Sequence, residues 1–381
     1  MRRRARSFLA STILWAAIFA GLGPSATPAT ARAEESGRFA VLSDIHFNPF
    51  ADPRLAATLA ETEPSAWRST LAPGQDGPTS RTGEDTNFPL FASALGAFAR
   101  AMASADFALT PGDLIAHEFN AKAATSLGVA PMSPAAHRMA ARTALFVAES
   151  LAGTLAGKPA IVALGNVDAG CGDYRLDPHG GYLAATKDLV RRLAGAARVA
   201  PDFDATWSAG GYYAVGHPTV PGLLIVVLND VLWSTHYEDA CGSGGRDAAG
   251  TAMLDWLRDL LARQRAAGRR IWMVHHIPWG IDAFSTVVKR AATCGEKVVP
   301  FLREPYATAF PDLIRTYGDV VQASFSGHTH FDDYRVMTGE HGAAVALDKL
   351  SPALSPIFGQ NRAFQVFSYD RRSGAPIDFS T

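Results

Sequence analysis

The sequence predicts an α/β (α+β) fold in which two packed β-sheets are covered by helices. In the first half of the chain, segments with helical spacing alternate with short apolar strands, whereas strands predominate towards the C-terminus. Residues suited to metal binding follow five of these strands, which predicts one site at the strand ends. The 381 residues, 48% of them hydrophobic, suffice for a large core. Without an internal repeat or coiled-coil pattern, a single domain over residues 34–381 is the simplest organisation.

The first 33 residues predict a signal peptide that is not part of the fold. Arg2, Arg3 and Arg4 begin a basic start, residues 13–22 are apolar, and residues 31–33 give the small-x-small pattern of a cleavage site. A membrane anchor is the alternative, but this apolar run is short for a span of about 20 residues. We therefore expect a periplasmic or secreted protein with no stable membrane span after cleavage. Ordinary secretion is favoured over twin-arginine export.

Charge and cysteine content limit the partners and the compartment. Five of the 35 Lys and Arg residues precede Glu34, so residues 34–381 carry 30 basic against 36 acidic residues, a net charge of −6. No basic stripe is present, and nucleic acid is not expected as a partner. Three cysteines in an exported chain allow one disulfide. We favour Cys171 with Cys241, since both lie in Gly-rich segments, and leave Cys294 unpaired.

The first predicted strand, residues 39–43, ends at two metal-binding residue types. Asp44 and His46 lie two residues apart, so in an extended chain their side chains share one face and can reach one ion. A stretch rich in Pro, Gly, Ser and Thr follows at residues 51–87, long enough for a lid or entry loop. We expect this stretch to lie over the mouth of the site.

The same succession of apolar strand and ligand-type residue recurs along the chain. Apolar runs of four to eight residues are typical of buried strands, and longer periodic segments are typical of helices. In chain order the predicted elements are a helix at 91–102, a strand at 107–109 before Gly112-Asp113, a helix at 135–155, a strand at 160–164 before Gly165-Asn166, a hairpin at 212–228, a helix at 248–267, a strand at 271–274 before His275-His276, a strand at 320–325 before His328 and His330, and closing strands at 334–337, 343–347 and 364–369.

Five such clusters in order indicate a two-metal hydrolase. Two divalent ions about 3.5 to 4 Å apart can shield a phosphoryl group and deprotonate a water held between them. Such a pair requires a shared carboxylate, and Asp113 is the predicted bridge. Mixed Asp, Asn and His ligands suit zinc, with iron or manganese as alternatives, better than calcium.

The ordered motifs resemble those of the calcineurin-like metallophosphoesterases. The resemblance covers nearly all of residues 34–381 and implies a four-layer double β-sandwich flanked by helices. It also implies two ligand sets that share Asp113. One ion would be held by Asp44, His46, Asp113 and His330, and the other by Asp113, Asn166, His276 and His328.

Finer motifs resemble the acid sphingomyelinase branch of that family. They are residues 112–117, 210–213, 276–280 and 327–334. In that branch a histidine four residues after the bridging aspartate lies at the phosphate and can protonate the leaving alcohol, and His117 occupies this position. The other interpretation of His117 is a surface histidine. Proton donation by a positioned side chain typically contributes about 10²- to 10⁴-fold.

The match fails at one position, because relatives have a histidine directly after the Gly-Asn pair and this chain has Val167. His275 could replace the missing donor, although adjacent strand residues face opposite sides and a supporting or core role is favoured. Asp168 could orient a ligand from behind or stabilise a turn. Residues 165–168 and 171–179 also resemble a subgroup that includes endopolyphosphatases and lacks the same histidine.

Aromatic residues offer candidates for a substrate groove. Trp279 follows the His-Ile-Pro segment and is expected at the mouth, and Tyr213 is a second candidate, although such residues more often lie in the core.

The predicted signal peptide and the resemblance together imply an exported phosphoesterase that hydrolyses phosphodiester bonds by attack of a metal-bridging hydroxide, with His117 as general acid. Its substrate would be a small-molecule or lipid-headgroup phosphate ester. Endopolyphosphatase, acting on polyphosphate, and phosphomonoesterase are alternatives. A catalytically impaired metal-holding binding protein, owing to Val167, is a further one.

Overall fold

A computed structural model describes residues 36–238, 241 and 247–381. The predicted signal peptide, residues 1–33, lies outside this range. The strands of the described residues are β1 Ser36–Val41, β2 Phe107–Thr110, β3 Ala160–Val162, β4 Tyr213–Gly216, β5 Leu224–Val227, β6 Ile271–Val274, β7 Val321–Ser326, β8 Asp333–Thr338, β9 Ala344–Leu350, β10 Gln365–Asp370 and β11 Pro376–Ser380.

These strands form two mixed sheets. The first has the order β11-β10-β1-β2-β3 and the second the order β4-β5-β6-β7-β9-β8. Strands β1, β2 and β3 are parallel to one another, as are β5, β6, β7 and β9. Antiparallel pairs occupy both edges of the second sheet and one edge of the first. Parallel strands buried on both faces explain the continuous apolar runs of the sequence.

Helices cover the outer faces and complete a four-layer arrangement, so the predicted fold class is confirmed. The helix Phe88–Met102 contacts β1, Gly181–Ala194 contacts β3, and Tyr306–Thr316 contacts β8 and β9. The other α-helices of the described residues are Ala56–Glu61, Trp67–Leu71, Phe119–Leu127, Pro134–Ala152, Phe203–Gly210, Ala248–Ala266, Ala283–Val288 and Cys294–Lys297.

The core between the sheets is aromatic. Phe39 of β1 stacks on Phe107 and Phe367 of its own sheet, and its ring centroid lies 5.0 Å from Trp272 of β6 and 5.2 Å from Phe325 of β7. Aromatic contacts of this kind stabilise a core beyond the burial of their area. Apart from Leu350 of β9, the buried apolar residues of both sheets belong to one cluster. Because the sheets pack together, the carboxyl ends of their central parallel strands meet at one edge of the molecule.

The predicted lid is not an irregular loop. Residues 51–87 contain the helices Ala56–Glu61 and Trp67–Leu71 together with short 3₁₀ turns, and Trp67 is fully buried. Polar composition concealed this helical structure. Only the last residues of the stretch approach the predicted site, where Asp85 and Thr86 are buried.

The predicted disulfide is present. Cys171 and Cys241 are bonded, with their Cα atoms 5.8 Å apart, and Cys294 is free and exposed.

Within the described residues, no helix combines the length and the apolar character needed to cross a bilayer.

Candidate active site

The structure brings all seven predicted metal ligands to the edge where the two sheets meet. Asp44 and His46 follow β1, and Asp113 follows β2. Their ligand atoms lie within 4.8 Å of one another and of His330, which follows β7. All four residues are buried. This first donor group therefore contains two carboxylates and two imidazoles.

A second donor group lies beside the first and shares Asp113 with it. His276, after β6, and His328, after β7, form a cluster with Asp113 within the same 4.8 Å limit. The Asn166 Oδ1 atom is 2.9 Å from His276 Nε2 and 2.8 Å from His328 Nδ1. Asn166, which follows β3, thus completes the group with an amide oxygen.

One carboxylate oxygen connects the two groups. The Asp113 Oδ2 atom lies 3.2 Å from His46 Nε2 and 3.2 Å from His276 Nε2. The other oxygen, Oδ1, accepts a hydrogen bond of 3.1 Å from the Val167 backbone N–H. Asp113 is therefore held in the orientation of a carboxylate shared by two ions.

Carbonyl groups behind the site determine which imidazole nitrogen faces it. His46 Nδ1 is 3.2 Å from the Ile115 carbonyl oxygen, and His276 Nδ1 is 2.9 Å from the Pro111 carbonyl oxygen. A carbonyl can only accept, so each Nδ1 carries a proton and each Nε2 is the ring nitrogen that faces the site, where it can bind a cation once it is deprotonated.

The ligands occupy strained backbone positions. Ten non-glycine residues of the described chain have positive φ, and five of them are predicted ligands, with values from 46° to 70°. A few per cent of non-glycine residues adopt this region, and such residues concentrate at functional sites. The five ligands are Asp44, His46, Asp113, His328 and His330.

The glycines of the motifs are required by close approach of the chain. Gly112 has a φ of +109°, and a Cβ placed there would lie 2.5 Å from the Gly165 backbone nitrogen. A Cβ at Gly327 would lie 2.4 Å from both the Ser43 hydroxyl oxygen and the Asp44 Oδ2 atom. The Gly-Asp and Gly-His pairs therefore let loops from different strands touch without a side chain between them.

The donor groups fit divalent cations. The Asp44 Oδ2 atom is buried and has no hydrogen-bond partner among the described residues. Burial raises the pKa of the Asp44 carboxyl above its ordinary value. Burial would lower the pKa of His276, but the neighbouring Asp113 carboxylate raises it to about 10. The buried carboxylates thus favour positive charge within the two donor groups, and a bound divalent cation would supply that charge.

His117 lies at the wall of the site rather than inside a donor group. Its ring stacks on His46 at 3.8 Å between centroids, and its Nδ1 atom is 2.8 Å from Asp85 Oδ1. Lys122 Nζ contacts the other Asp85 oxygen at 2.9 Å. Burial would raise the pKa of Asp85, yet its bond to His117 and the nearby positive charges hold it below its ordinary value. A buried carboxylate therefore fixes the His117 ring with Nε2 directed away from it.

Asp85 could not be recognised from the sequence as a partner of His117. The two residues are 32 positions apart, and Asp85 stands in no motif with His117. Only the packing of the 51–87 stretch brings it to the site.

Asp168 holds two ligand loops together through their backbones. Its Oδ2 atom accepts hydrogen bonds of 2.8 Å from the Asp113 and Gly165 N–H groups, and its Oδ1 atom accepts one of 2.8 Å from Leu114. Burial, reinforced by the nearby Asp113 carboxylate, raises the pKa of Asp168 to about 6. Asp168 thus supports Asp113 and Asn166 without contacting their side chains.

His275 points away from the site into the second sheet. It is fully buried, with Nδ1 2.8 Å from Asp230 Oδ2 and Nε2 2.8 Å from the Ser324 hydroxyl. Asp230 also accepts a 3.1 Å hydrogen bond from the Ile277 N–H. This geometry does not fit a donor to phosphate, and it supports the segment that carries His276.

A cavity of about 560 Å³ opens above the two donor groups. Asp113, Asn166, His328 and His330 line its floor, and His117 lies in its wall. Its upper wall is largely aromatic and consists of Tyr174, Phe284, Phe301, Phe331 and Phe358.

The two aromatic residues predicted for the substrate groove require correction. Trp279 is 4% exposed and stacks parallel to His275, so it packs behind the ligand segment. Tyr213 is fully buried, and its hydroxyl donates to the Val162 carbonyl at 2.9 Å, which joins the two sheets. Both are core residues, and composition alone could not distinguish core from groove.

A double β-sandwich with two donor groups around one carboxylate defines the class of metal-dependent hydrolases that use divalent ions. The chain belongs to the calcineurin-like phosphoesterase family, whose model matches residues 37–332. The predicted family and enzyme class are thereby confirmed. Neither the family model nor the donor groups identify the metal.

Curated relatives carry phosphodiesterase names. The human cyclic GMP-AMP phosphodiesterase SMPDL3A is 25% identical over 179 residues, which cover 45% of this chain and 36% of that protein. Sphingomyelin phosphodiesterase B of Dictyostelium discoideum is 26% identical over 45% of this chain and 25% of its own length. The mouse acid sphingomyelinase-like phosphodiesterase 3b is 24% identical over 88% of this chain and 68% of that protein. The chain is therefore similar to proteins named as sphingomyelinase-like phosphodiesterases, and the first two matches span 36% and 25% of those relatives' lengths.

Among solved structures, a dimetal phosphatase from Danio rerio has a TM-score of 0.47 and 12% identity, and the match covers 90% of this chain and 98% of that one.

Proposed function

We propose that this chain is an exported two-metal phosphodiesterase whose single catalytic domain begins at residue 34. The observation that carries the proposal is the position of Asp113 Oδ2, 3.2 Å from an imidazole of each donor group, on the floor of a cavity that also contains His117. Asp44, His46, Asp113 and His330 would hold one ion, and Asp113, Asn166, His276 and His328 the other. Zinc is the favoured metal, with iron or manganese as alternatives.

The bound ions would stabilise negative charge on the phosphoryl oxygens and lower the pKa of the attacking water. The protein supplies the orientation of its ligands and a proton donor. His117 Nδ1 is engaged by Asp85, so Nε2 is the atom that can give a proton to the leaving oxygen. Asp85, paired with Lys122, keeps this ring in one orientation.

Tyr174 is our candidate for the donor that is missing at Val167. Val167 is 1% exposed, and its only hydrogen-bond donor, the backbone N–H, already donates to the Asp113 carboxylate. Tyr174 lines the same cavity, adopts a φ of +55°, and meets the His328 ring edge to face at 6.3 Å. Burial and the nearby carboxylates raise the pKa of its phenol above the ordinary value, so the hydroxyl stays protonated and can donate to a phosphoryl oxygen.

Replacing Tyr174 by Phe is expected to lower kcat about 10- to 100-fold, the typical cost of removing a hydrogen bond to a charged group. Metal content, measured by elemental analysis, should not change. Orthovanadate affinity, measured by calorimetry, should fall with kcat. Tyr334→Phe, an exposed tyrosine on β8, is the matched control. Unchanged vanadate affinity in Tyr174→Phe would remove this residue from the mechanism.

The cavity favours a diester with an apolar or aromatic substituent over polyphosphate. Its wall is aromatic, and apart from the predicted ligands and His117 its described lining contains three carboxylates, Asp173, Asp282 and Asp333, and one guanidinium, that of Arg335. A polyanion would be repelled by these carboxylates. The names of the relatives, which refer to cyclic GMP-AMP and to sphingomyelin, also support a diester. The substrate would be a small-molecule or lipid-headgroup phosphodiester.

The test is turnover of bis-p-nitrophenyl phosphate, p-nitrophenyl phosphate, sphingomyelin and polyphosphate by the mature chain with added Zn²⁺ or Mn²⁺. We expect the diesters to be hydrolysed fastest. Preference for p-nitrophenyl phosphate or polyphosphate would instead support a phosphomonoesterase or an endopolyphosphatase. A metal-loaded chain that hydrolyses none of them, but gains activity in Val167→His, would be an impaired binding protein.

A further inference from the structure

Among the large apolar side chains of the described residues, the two with the highest exposed fraction lie in one segment beside the cavity. Twelve large hydrophobic residues are exposed, and four of them lie within residues 281–300, which we call the mouth segment. Phe284 and Val287 are each 78% exposed, more than any of the others, and Val288 is 58% exposed. Concentrated exposure of this kind marks an interaction surface, whereas isolated exposed apolar residues are normal.

The mouth segment has a defined shape, so its exposure does not come from a frayed loop. Ile281 bridges Pro300 at its base, and the Asp282 N–H donates to the Val299 carbonyl at 2.9 Å. Asp282 also caps the helix Ala283–Val288 by accepting from the Ser285 N–H at 2.9 Å. The Thr286 hydroxyl accepts from the Val299 N–H at 3.0 Å. Ser285 and Thr286 therefore face the protein, and the valines that follow them face outward.

The segment adjoins the opening of the active-site cavity. Asp282 and Phe284 line that cavity, together with Phe331 and Phe358, which are 54% and 60% exposed. Phe358 in turn contacts His330, with 4.7 Å between ring centroids. Exposed apolar side chains thus stand both in the mouth segment and around the cavity that it adjoins.

Positive charge lies directly beside the apolar side chains. Lys289 and Arg290 follow Val288, both are exposed, and neither forms an ion pair with any described residue. The segment carries one positive charge in excess, with Lys289, Arg290 and Lys297 against Asp282 and Glu296, and both carboxylates accept a backbone N–H at the start of a helix. Apolar side chains with adjacent free cations are typical of segments that lie in a bilayer surface, where the cations contact lipid phosphates.

We propose that the mouth segment docks on bilayers that contain anionic lipid, with Phe284, Val287 and Val288 inserted and with Lys289 and Arg290 on the headgroups. The proposal goes beyond the proposed function, because it concerns a surface and not the ester that is cleaved. A second copy of the chain is a poorer occupant, since self-association through this face would bring like charges together. Docking would turn the cavity opening towards the membrane.

Vesicle co-sedimentation of the mature chain tests the proposal. Vesicles of phosphatidylcholine alone are compared with an equal mixture of phosphatidylcholine and phosphatidylglycerol. We expect stronger binding to the mixture. The double variant Val287→Ser, Val288→Ser should reduce the partition coefficient by at least about 10-fold. Lys289→Gln and Arg290→Gln should each reduce it about 5-fold and weaken its dependence on salt.

The matched control is the double variant Val336→Ser, Leu347→Ser, which removes two aliphatic side chains, 48% and 49% exposed, from β8 and β9. Turnover of soluble bis-p-nitrophenyl phosphate, measured separately, should be unchanged in every variant, so that failure to dock is distinguished from failure of the proposed hydrolysis. Equal binding of the control and mouth-segment variants, or no binding of the natural chain to either vesicle, would overturn the proposal. So would a dimer that the valine variant dissociates.

Discussion

Replacement of Asp113 by Ala or Asn should abolish phosphodiester turnover, with a loss of at least about 10³-fold, and should leave fewer than two ions bound per chain. The Asp113 Oδ2 atom is 3.2 Å from an imidazole of each donor group, so its removal affects both groups at once. The two metal ions together contribute several kcal/mol of transition-state stabilisation, and each loss of about 1.4 kcal/mol lowers the rate about tenfold. Steady-state kinetics and elemental analysis measure the two effects.

The Asn variant is the stricter test, because Asn tolerates the φ of +58° at this position and can still accept from the Val167 N–H. Its thermal unfolding with a chelator present should therefore resemble that of the natural chain. Asp259→Asn, on the exposed face of the helix Ala248–Ala266, is the matched control. Two tightly bound ions and full activity in Asp113→Asn would refute the role of a shared ligand.

Replacement of His117 by Ala should slow hydrolysis of a diester with an alkyl alcohol leaving group by about 10²- to 10⁴-fold and leave both ions in place. His117 lies at the cavity wall, held by Asp85, and belongs to neither of the two donor groups that share Asp113. The loss should be much smaller for bis-p-nitrophenyl phosphate, since nitrophenolate departs without being protonated. Comparison of kcat for the two esters measures the difference.

His341→Ala, an exposed histidine between β8 and β9, is the matched control. An equal loss for both leaving groups would indicate that His117 positions another group and does not transfer a proton. Loss of metal from His117→Ala would instead make it a ligand, for which its proximity to His46 and His330 provides the geometric alternative.

The metal ligands could be found from the sequence because parallel strands leave a clear signal. A strand that is buried on both faces appears in the sequence as a continuous apolar run. Polar residues directly after such a run lie at the carboxyl edge of the sheet, where ligands bind in folds of this kind. For this reason both boundaries of the strand Ile271–Val274 agree with the sequence prediction. In contrast, β11 is fully exposed and has no apolar run, and it was not predicted.

Asp168 and His275 could be proposed as supporting residues because they stand next to predicted ligands in the sequence, whereas other residues of the site could not, because their roles come from packing between distant segments. Asp85 meets His117 only through the fold of residues 51–87, whose polar composition suggested a loop. Tyr174 and Tyr213 are both aromatic residues in Gly-rich surroundings, yet one lines the cavity and the other joins the sheets. The export signal, the two ions and His117 as the acid remain predictions.

The disulfide has a consequence for how the protein must be prepared. Cys171 lies three residues before Tyr174, and Cys241 lies three after Glu238, whose N–H donates to the Tyr174 carbonyl at 2.9 Å. The disulfide therefore links the two segments that this backbone hydrogen bond also joins beside Tyr174, and none of the seven predicted metal ligands lies within residues 171–174 or 238–241. We expect protein that folds in a reducing cytoplasm, without the disulfide, to bind its metal ions normally but to hydrolyse substrate slowly. The oxidation state of Cys171 and Cys241 would then change the turnover rate without changing the metal content.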